Sequence, residues 1–321
     1  MMLRSRSLDA ALPPRLAALL ALAAASLAAC SLLKRPPDFS RGGLELVYTV
    51  EATPQTAGRE EALAQAAAGT IGRRIAAVGC RGEVRAAGRE VRVRLPAACG
   101  PKMADLTRVI GVGGRLEFRE VDAGDPLAAI TDRAPPEAGV ALDTQEWRTE
   151  SGLIRHTRTL KGTVAALERF RAGLAPSALP PDVEPLIEAP PRPGEPVRLY
   201  LIKREVGLTG AAVQDAEVIM DPQMGRPDVS VTFDQAGAEA FRALTRRLVD
   251  QKLAIVLDGR VTSAPLVKTE IPGGRARITL GSAQDPAVLQ ADARALVVTL
   301  RSGALPSGLV LTREAIIQPS R

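Results

Sequence analysis

The stretch that most constrains the fold is residues 253–306, where strand, turn and helix signals follow one another closely. Residues 253–257 read LAIVL, an apolar run of strand length, and Asp258-Gly259 supplies the residues of a tight hairpin turn. Pro265 then interrupts the return strand, because proline has no N–H to donate to a ladder. The pattern therefore predicts a hairpin, followed after a Gly-Gly turn by a third strand at 276–280.

A helix with clear end signals follows this third strand. Asp285 is the predicted N-cap, with Pro286 at the first helical position, and Gly303 closes the helix. Its apolar residues recur at helical spacing and define one buried face: Leu289, Ala293, Leu296 and Leu300. A final strand is predicted at residues 309–317.

The N-terminal part of the chain alternates strands and helices in the same way. Periodicity predicts, in order, a strand at 44–50, a helix at 59–78, a hairpin at 82–95, a short helix at 103–110 and a strand at 115–121. Elements at the two chain ends thus flank a central insertion. This layout predicts an α+β fold, with a ferredoxin-like base formed by both chain ends and an inserted α+β head subdomain.

Several segments resemble, in their residues and in their order along the chain, the first periplasmic domain of SecD, the accessory subunit of the bacterial protein-export machine. The segments are Arg-Gly-Gly-Leu at 41–44, GRLEFR at 114–119, Gly-Arg-Pro at 225–227 and the block at 253–306. The Gly-Leu-Asp-Leu that precedes Arg-Gly-Gly in SecD is missing, and so is the usual acidic-Arg-Thr-Val-Gly-Pro sequel of the last strand. The sequence stops at Arg321, where SecD would enter its membrane helices, so we expect no proton coupling of its own.

The layout and the resemblance together give a division into segments. We expect a lipoprotein signal peptide at 1–29, a tether at 30–39, the first part of the base at 40–121, a Pro-rich linker with one helix at 122–196, the head at 197–282 and the last helix and strand of the base at 283–321. The linker is inferred because ten of the 25 prolines lie between Pro135 and Pro196. Within it, Trp147 is expected to make a packing contact and His156 to be a solvated loop residue.

The first 30 residues have the pattern of a lipoprotein secretory signal. Arginines precede an apolar stretch at 16–25, and Leu-Ala-Ala-Cys, ending at Cys30, resembles a bacterial lipobox. In such lipoproteins the cysteine carries diacylglycerol and an N-acyl chain such as palmitate. The alternative is an uncleaved anchor helix, but only 18 residues separate Arg15 from Lys34, and a span needs about 20 apolar ones. We expect a lipid anchor in the bilayer on the periplasmic face, with Ser31 favouring the outer membrane.

Two other cysteines, Cys80 and Cys99, lie on either side of the predicted hairpin at 82–95. The hairpin turn is almost midway between them, so both arm ends meet at the same end of the ladder, where a disulfide is geometrically possible. An oxidising compartment would allow the bond to persist. The alternative is a pair of buried thiols that act as small hydrophobic side chains.

Composition and motifs argue against nucleic-acid binding and catalysis. The net charge is only +6 and aromatic residues make up 2% of the chain, so neither a strong basic patch nor a stacking platform is predicted. His156 is the only histidine, and no nucleophile motif accompanies it. The carboxylates of Asp215, Glu217 and Asp221 do not have the spacing of a calcium loop. We therefore predict no catalytic, cofactor or metal site and do not expect an enzyme.

The resemblance implies a module that engages polypeptide. The first hypothesis is a membrane-tethered SecD-like periplasmic module that binds translocating or unfolded polypeptide, or docks on components of the Sec translocon. An exposed edge strand can add a peptide strand through main-chain hydrogen bonds. The candidate contact residues lie in the head strand and the helix after it, with ordinary core packing as the alternative for each: Val229, Val231, Phe233, Phe241, Leu244 and Leu248. The second hypothesis is a structural envelope lipoprotein that keeps the fold without the export role.

Overall fold

The computed structural model describes residues 36–133, 139–175, 177–190, 194–223, 225–280 and 285–320. The predicted signal peptide and Cys30 lie outside these residues. The described chain is α+β, as expected. Its elements are β1 (Gly43–Val50), α1 (Glu60–Ala77), β2 (Glu83–Ala87), β3 (Glu90–Pro96), α2 (Met103–Val109), β4 (Leu116–Val121), α3 (Asp125–Arg133), β5 (Val140–Arg148), β6 (Ile154–Gly162), α4 (Val164–Gly173), β7 (Val183–Ile187), β8 (Val197–Thr209), β9 (Val213–Met220), β10 (Pro227–Phe233), α5 (Gln235–Arg247), β11 (Leu253–Leu257), β12 (Arg260–Ser263), β13 (Arg275–Thr279), α6 (Pro286–Ser302) and β14 (Leu309–Ile317).

The base is an antiparallel sheet in the order β14-β1-β3-β2, with α1 after β1 and α6 before β14. This is the ferredoxin-like arrangement, and both ends of the chain supply it, as the sequence predicted. Alternate residues of β1 and β3 point at α1 and are buried because the strand period is two. The base core contains Leu46, Tyr48, Val50, Val91, Val93, Leu95, Ala67, Ile71 and Ile75.

The head consists of the three-stranded sheet β13-β10-β9 and helix α5. Asp234 caps α5, because its side chain accepts a hydrogen bond from the N–H of Gly237 at 2.7 Å. Gly237 is needed at this position, since a Cβ there would lie 2.6 Å from the Cβ of Ala212. The rings of Phe118, Phe233 and Phe241 pack with centroids 5.0 to 5.4 Å apart and fill the centre of the head core.

The expected linker at 122–196 is wrong, because these residues are part of a sheet with its own core. Strands β5, β6 and β7 join β4, β8, β11 and β12 in a seven-stranded sheet of order β12-β11-β4-β8-β6-β5, with β7 also paired to β8. Leu127, Val140, Leu160 and Leu167 are buried in the core of this middle region. Pro185 is accommodated because it lies in β7, which takes its ladder partner on one side only.

The boundary between base and head also differs from the expected one. Strand β4, assigned by sequence to the base, pairs with β8 and β11, which were assigned to the head. Helix α6 packs its predicted face, including Leu296 and Leu300, on the head core, while Ala295 and Val298 on its other flank pack on the base core. A helix expected to belong to the base therefore joins base and head.

Candidate functional site

The six predicted polypeptide contacts are buried, so the structure contradicts their assignment to a surface. Val229, Val231, Phe233, Phe241, Leu244 and Leu248 are each at most 5% exposed and belong to the head core. The physical reason is that β10 is the middle strand of its sheet, between β13 and β9, and packs against α5. The alternative reading, ordinary core packing, is what the structure shows.

A cleft between the base and the head offers an apolar surface instead. Its volume is about 280 Å³, and it is lined by the C-terminal end of α1, by α2, by α6 and by β9. Aliphatic side chains dominate the wall: Ala77, Val78, Val109, Val218, Ala295, Val297 and Val298. Asp105 and Arg294 add one charge of each sign to the lining. The cleft can accept apolar side chains of a ligand and leaves a charged pair to orient its polar parts.

The outer strand of the head sheet borders this cleft. Strand β9 is an outer strand of the head sheet, so one side of its backbone has no strand partner within that sheet. Val218 of β9 pairs with Val229 on the inner side and contributes its side chain to the cleft. An extended peptide at this place would meet both an unpaired strand backbone and an apolar wall.

Strand β14 is a second open edge, at the outside of the base sheet. Val310, Leu311 and Ile316 are exposed on it, and Ile316 is 75% exposed. Long exposed edge strands with apolar side chains are places where another chain can add by strand pairing. The edge and the cleft are thus two separate surfaces with the chemistry expected of a peptide-binding module.

Arg74, a residue that sequence reasoning missed, lies at the junction between the base and the insertion. Its side chain is fully buried, and its guanidinium donates to the carbonyls of Val109, Val112, Gly113 and Gly303. Burial lowers the pKa of Arg74 to about 10, and the negative charge of nearby Asp258 opposes that shift.

The carbonyls bound by Arg74 belong to two connections between base and insertion. One connection leaves α2 for β4, and the other leaves α6 for β14. The N–H of Leu305 also donates to the carbonyl of Gly113 at 2.7 Å. Asp258 accepts from the N–H groups of Gly114 and Arg115 at 3.0 and 2.8 Å, which ties the hairpin turn of β11 and β12 to the same point. Arg74 therefore helps to position the walls of the cleft.

The polar residues singled out in the sequence have structural partners. The Nε2 atom of His156 lies 2.9 Å from a carboxylate oxygen of Asp125, and His156 is in strand β6, so the expected loop position is wrong. Trp147 on the paired strand donates its indole N–H to the carbonyl of Asp250 at 3.1 Å. Trp147 and His156 thus connect the middle region to its neighbours.

Two of the three carboxylates considered as calcium ligands in the sequence, Asp215 and Asp221, have ordinary structural contacts. Asp215 pairs with Arg301 of α6 at 2.8 Å. Asp221 accepts from the N–H of Gln223 at 2.8 Å within the turn after β9. Within the described ranges, no three histidine, cysteine, aspartate or glutamate residues are grouped so that they could hold a metal ion. In the same ranges, no helix is both long enough and apolar enough to cross a bilayer.

Cys80 and Cys99 are joined by a disulfide, with their Cα atoms 5.6 Å apart. The bond links the loop after α1 to the segment between β3 and α2, at the end of the base sheet. Both cysteines are buried in the base core.

Comparison with known proteins agrees with this fold. The family model of the SecDF P1 head subdomain matches residues 186–307. The protein translocase subunit SecD of Elusimicrobium minutum is 30% identical over 232 residues, which are 72% of this chain and 41% of that protein. The protein translocase subunit SecDF of Thermus thermophilus is 42% identical over 114 residues, which are 35% of this chain and 14% of that protein. The chain thus spans less than half the length of these relatives.

Two solved structures share the architecture. SecDF in its super-membrane-facing form matches with a TM-score of 0.55 at 25% identity, covering 95% of this chain and 35% of that chain. A structure of SecDF, described as a membrane component that enhances protein export, matches with a TM-score of 0.51 at 25% identity, covering 84% of this chain and 98% of that chain. The family model, the relatives and the solved structures together show that the described residues form a first periplasmic domain of the SecD family.

Proposed function

We propose that this protein is a periplasmic component of protein export that binds extended, unfolded segments of exported polypeptide in the cleft between base and head. The observation that supports the proposal most directly is the apolar cleft of about 280 Å³ beside the outer strand β9. An unfolded segment exposes both apolar side chains and unpaired main-chain groups, and the cleft with its strand edge complements both without selecting a sequence. Membership of a family of protein translocase subunits supports the same role.

The proposed partners are therefore exported polypeptides and, through the same family, components of the Sec translocon. We further propose that an acylated Cys30 attaches the protein to the bilayer on the periplasmic side. The Leu-Ala-Ala-Cys pattern supports the attachment, and more than one acyl chain is needed for a stable anchor. Metabolic labelling with an alkyne fatty acid tests it, since Cys30→Ser should abolish the label.

The binding proposal is tested in cells by placing a photo-crosslinking amino acid at Val218 or Val297 in the cleft. Arg242 on α5 is the control position, because it is exposed on the head and does not line the cleft. We expect many different exported proteins to crosslink from the cleft positions and few from the control. Recovery of one envelope protein, or of nothing above the control, would contradict polypeptide binding and favour the structural lipoprotein.

A binding measurement with the purified full chain makes the test quantitative. Val297→Asp places a charge in the apolar wall, whereas Val288→Asp places the same charge on the same helix outside the cleft. We expect Val297→Asp to weaken binding of a fluorescent unfolded polypeptide about tenfold, because a charge facing apolar groups loses its hydration without gaining a partner. The Val288→Asp variant should bind as tightly as the unchanged protein. Equal affinities for the two variants would exclude the cleft as the binding site.

A further inference from the structure

Both ends of the described chain meet at one end of the base sheet. Gly43, at the start of β1, is paired with Ile317 at the end of β14 and with Pro96 at the end of β3. The N-terminal segment at 36–42 therefore enters the base, and the C-terminal segment leaves it, at the same place. A Cβ built on Gly42 would lie 3.1 Å from the backbone nitrogen of Pro319, which shows how close the two segments are.

A polar pocket of about 530 Å³ opens at this end of the base. Its charged lining consists of three cations, Arg41, Arg81 and Lys102, and one carboxylate, Asp38. Asp38 accepts a hydrogen bond from the N–H of Ser40 at 2.9 Å, and this bond is the main reason that the pKa of Asp38 is lowered. Among the described residues, no carboxylate lies within 4.0 Å of the guanidinium of Arg41 or Arg81. The pocket therefore has an excess of positive charge that is exposed to solvent.

The scaffold around these cations is held in place by covalent and steric constraints. The disulfide between Cys80 and Cys99 joins the loop that carries Arg81 to the segment that ends at Lys102. Lys102 reaches across this junction and donates a hydrogen bond to the carbonyl of Gly79 at 2.5 Å. A side chain at residue 79 would block the approach, because a Cβ there would lie 2.7 Å from the lysine nitrogen. Two segments that are separate in sequence thus present their cations to one pocket.

We propose that this pocket binds the phosphate groups of anionic phospholipids and holds the base against the membrane surface. Guanidinium and ammonium groups are the side chains that recognise phosphate. The inference rests on the proposed attachment at Cys30, which precedes Pro36 by only six residues, a reach of about 20 Å. An anchor at that distance brings the pocket to the headgroup layer. In this orientation the base faces the bilayer. The pocket and both ends of the described chain then lie on the side of the domain that faces the membrane.

The test uses the full chain reconstituted with phosphatidylcholine vesicles, with and without phosphatidylglycerol. A photo-crosslinking amino acid replaces Ala98, which is exposed and lines the pocket, and mass spectrometry measures the yield of protein–phospholipid product. We expect a product that depends on phosphatidylglycerol. Arg41→Gln and Arg81→Gln each remove one cation from the pocket. At limiting lipid, each substitution should lower the yield of the protein–phospholipid product about fivefold, which is the effect of one charge near an anionic surface. Arg85→Gln and Arg92→Gln, exposed on the base strands outside the pocket, are the matched controls.

Three results would overturn the proposal. They are equal yields with both vesicle types, equal losses in pocket and control variants, and binding of free inorganic phosphate to the pocket that phosphatidylglycerol vesicles do not displace, which would assign the pocket to a soluble anion. The Cys30→Ser chain separates this inference from the attachment. If the pocket binds lipid, this variant still shows a phosphatidylglycerol-dependent product at higher lipid concentration. Crosslinking of polypeptide from Val218 is measured in the same variants, so failure of the lipid site and failure of the polypeptide site are read independently.

Discussion

The base and the middle region at 122–196 bury their apolar surface in different ways. In the base, each element has its own apolar face, so alternate residues of β1 and β3 meet the helical stripe of α1. In the middle region, β5 and β6 are largely polar, and much of the core comes from the neighbouring strand β8. Val197, Leu199 and Leu201 of β8 face this core, while Tyr200 and Ile202 are buried on the opposite face. A region whose core is supplied by a neighbour looks like a linker in sequence even though it folds.

The junction between base and insertion should show the largest effect of mutation. We expect Arg74→Met to lower the free energy of unfolding by about 3 kcal/mol, because one buried and three part-buried carbonyls lose their charged donor. Arg85→Met is the matched control, since that side chain is 77% exposed. Denaturant titration of the full chain measures both variants.

Hydrogen exchange adds a local measurement to this comparison. Amides in the two connections bound by Arg74, around residues 110–114 and 303–305, should lose protection in Arg74→Met before those of β6 do. If both arginine variants unfold at the same denaturant concentration, Arg74 does not join base and insertion as described.

A substitution in the middle region decides directly between a linker and a folded core. Leu160 is fully buried, so we expect Leu160→Ala to cost about 3 kcal/mol of stability through lost contacts and a cavity. Leu153 lies at the turn between β5 and β6 and is 61% exposed, so Leu153→Ala should change stability by less than about 0.5 kcal/mol. Thermal unfolding of both variants is the measurement. Identical melting temperatures would restore the linker interpretation.

The disulfide should stabilise the base and leave the middle region unaffected. The cysteines are 19 residues apart, and a loop of that size contributes roughly 2–3 kcal/mol by restricting the unfolded chain. We expect the Cys80→Ala/Cys99→Ala variant to have a free energy of unfolding, measured by urea titration, that is lower by that amount. It should also lose amide protection in β1 and β3 but not in β6. The unchanged protein in reductant provides the control. Protection lost equally in all three strands would mean that base and middle region unfold as one unit.

The smallest expected effect is a pH dependence in the head. Hydrogen bonds from Arg246 and then Arg242 lower the pKa of Glu270 from 4.5 to about 2. Because the folded pKa is depressed, this stabilisation is fully present above pH 4.5 and is lost as the pH falls toward 2. The effect is modest, since the pair is exposed and screened by salt. Stability measured between pH 5 and about 2 should fall less steeply in Glu270→Gln than in the unchanged protein. Parallel curves would show that the ion pair does not act on folding.

Some parts of the candidate site could be predicted from sequence and others could not. The valines of α6 that line the cleft can be read in the sequence as apolar residues of a helix. The periodicity nevertheless predicted only one buried face for this helix, the one with Leu296 and Leu300. The second apolar flank, Ala295 and Val298, is the signal that could have shown a helix packed between two cores. The head residues at 229–233 have clear alternation, yet alternation alone does not distinguish a middle strand from an edge strand. Their burial follows from pairing with both β9 and β13.

The sequence by itself determined the local features of this protein. Caps and turns such as Asp285 and Asp258-Gly259 lie where the sequence placed them, because their geometry depends on a few neighbouring residues. The ferredoxin-like order of the base was also readable, since each of its elements has its own apolar period. The tertiary structure alone decided the pairing of β4 with β8 and β11, the burial of Arg74 and the cleft. These depend on contacts between segments far apart in the chain, and no local pattern records which partner a strand or a buried charge will meet.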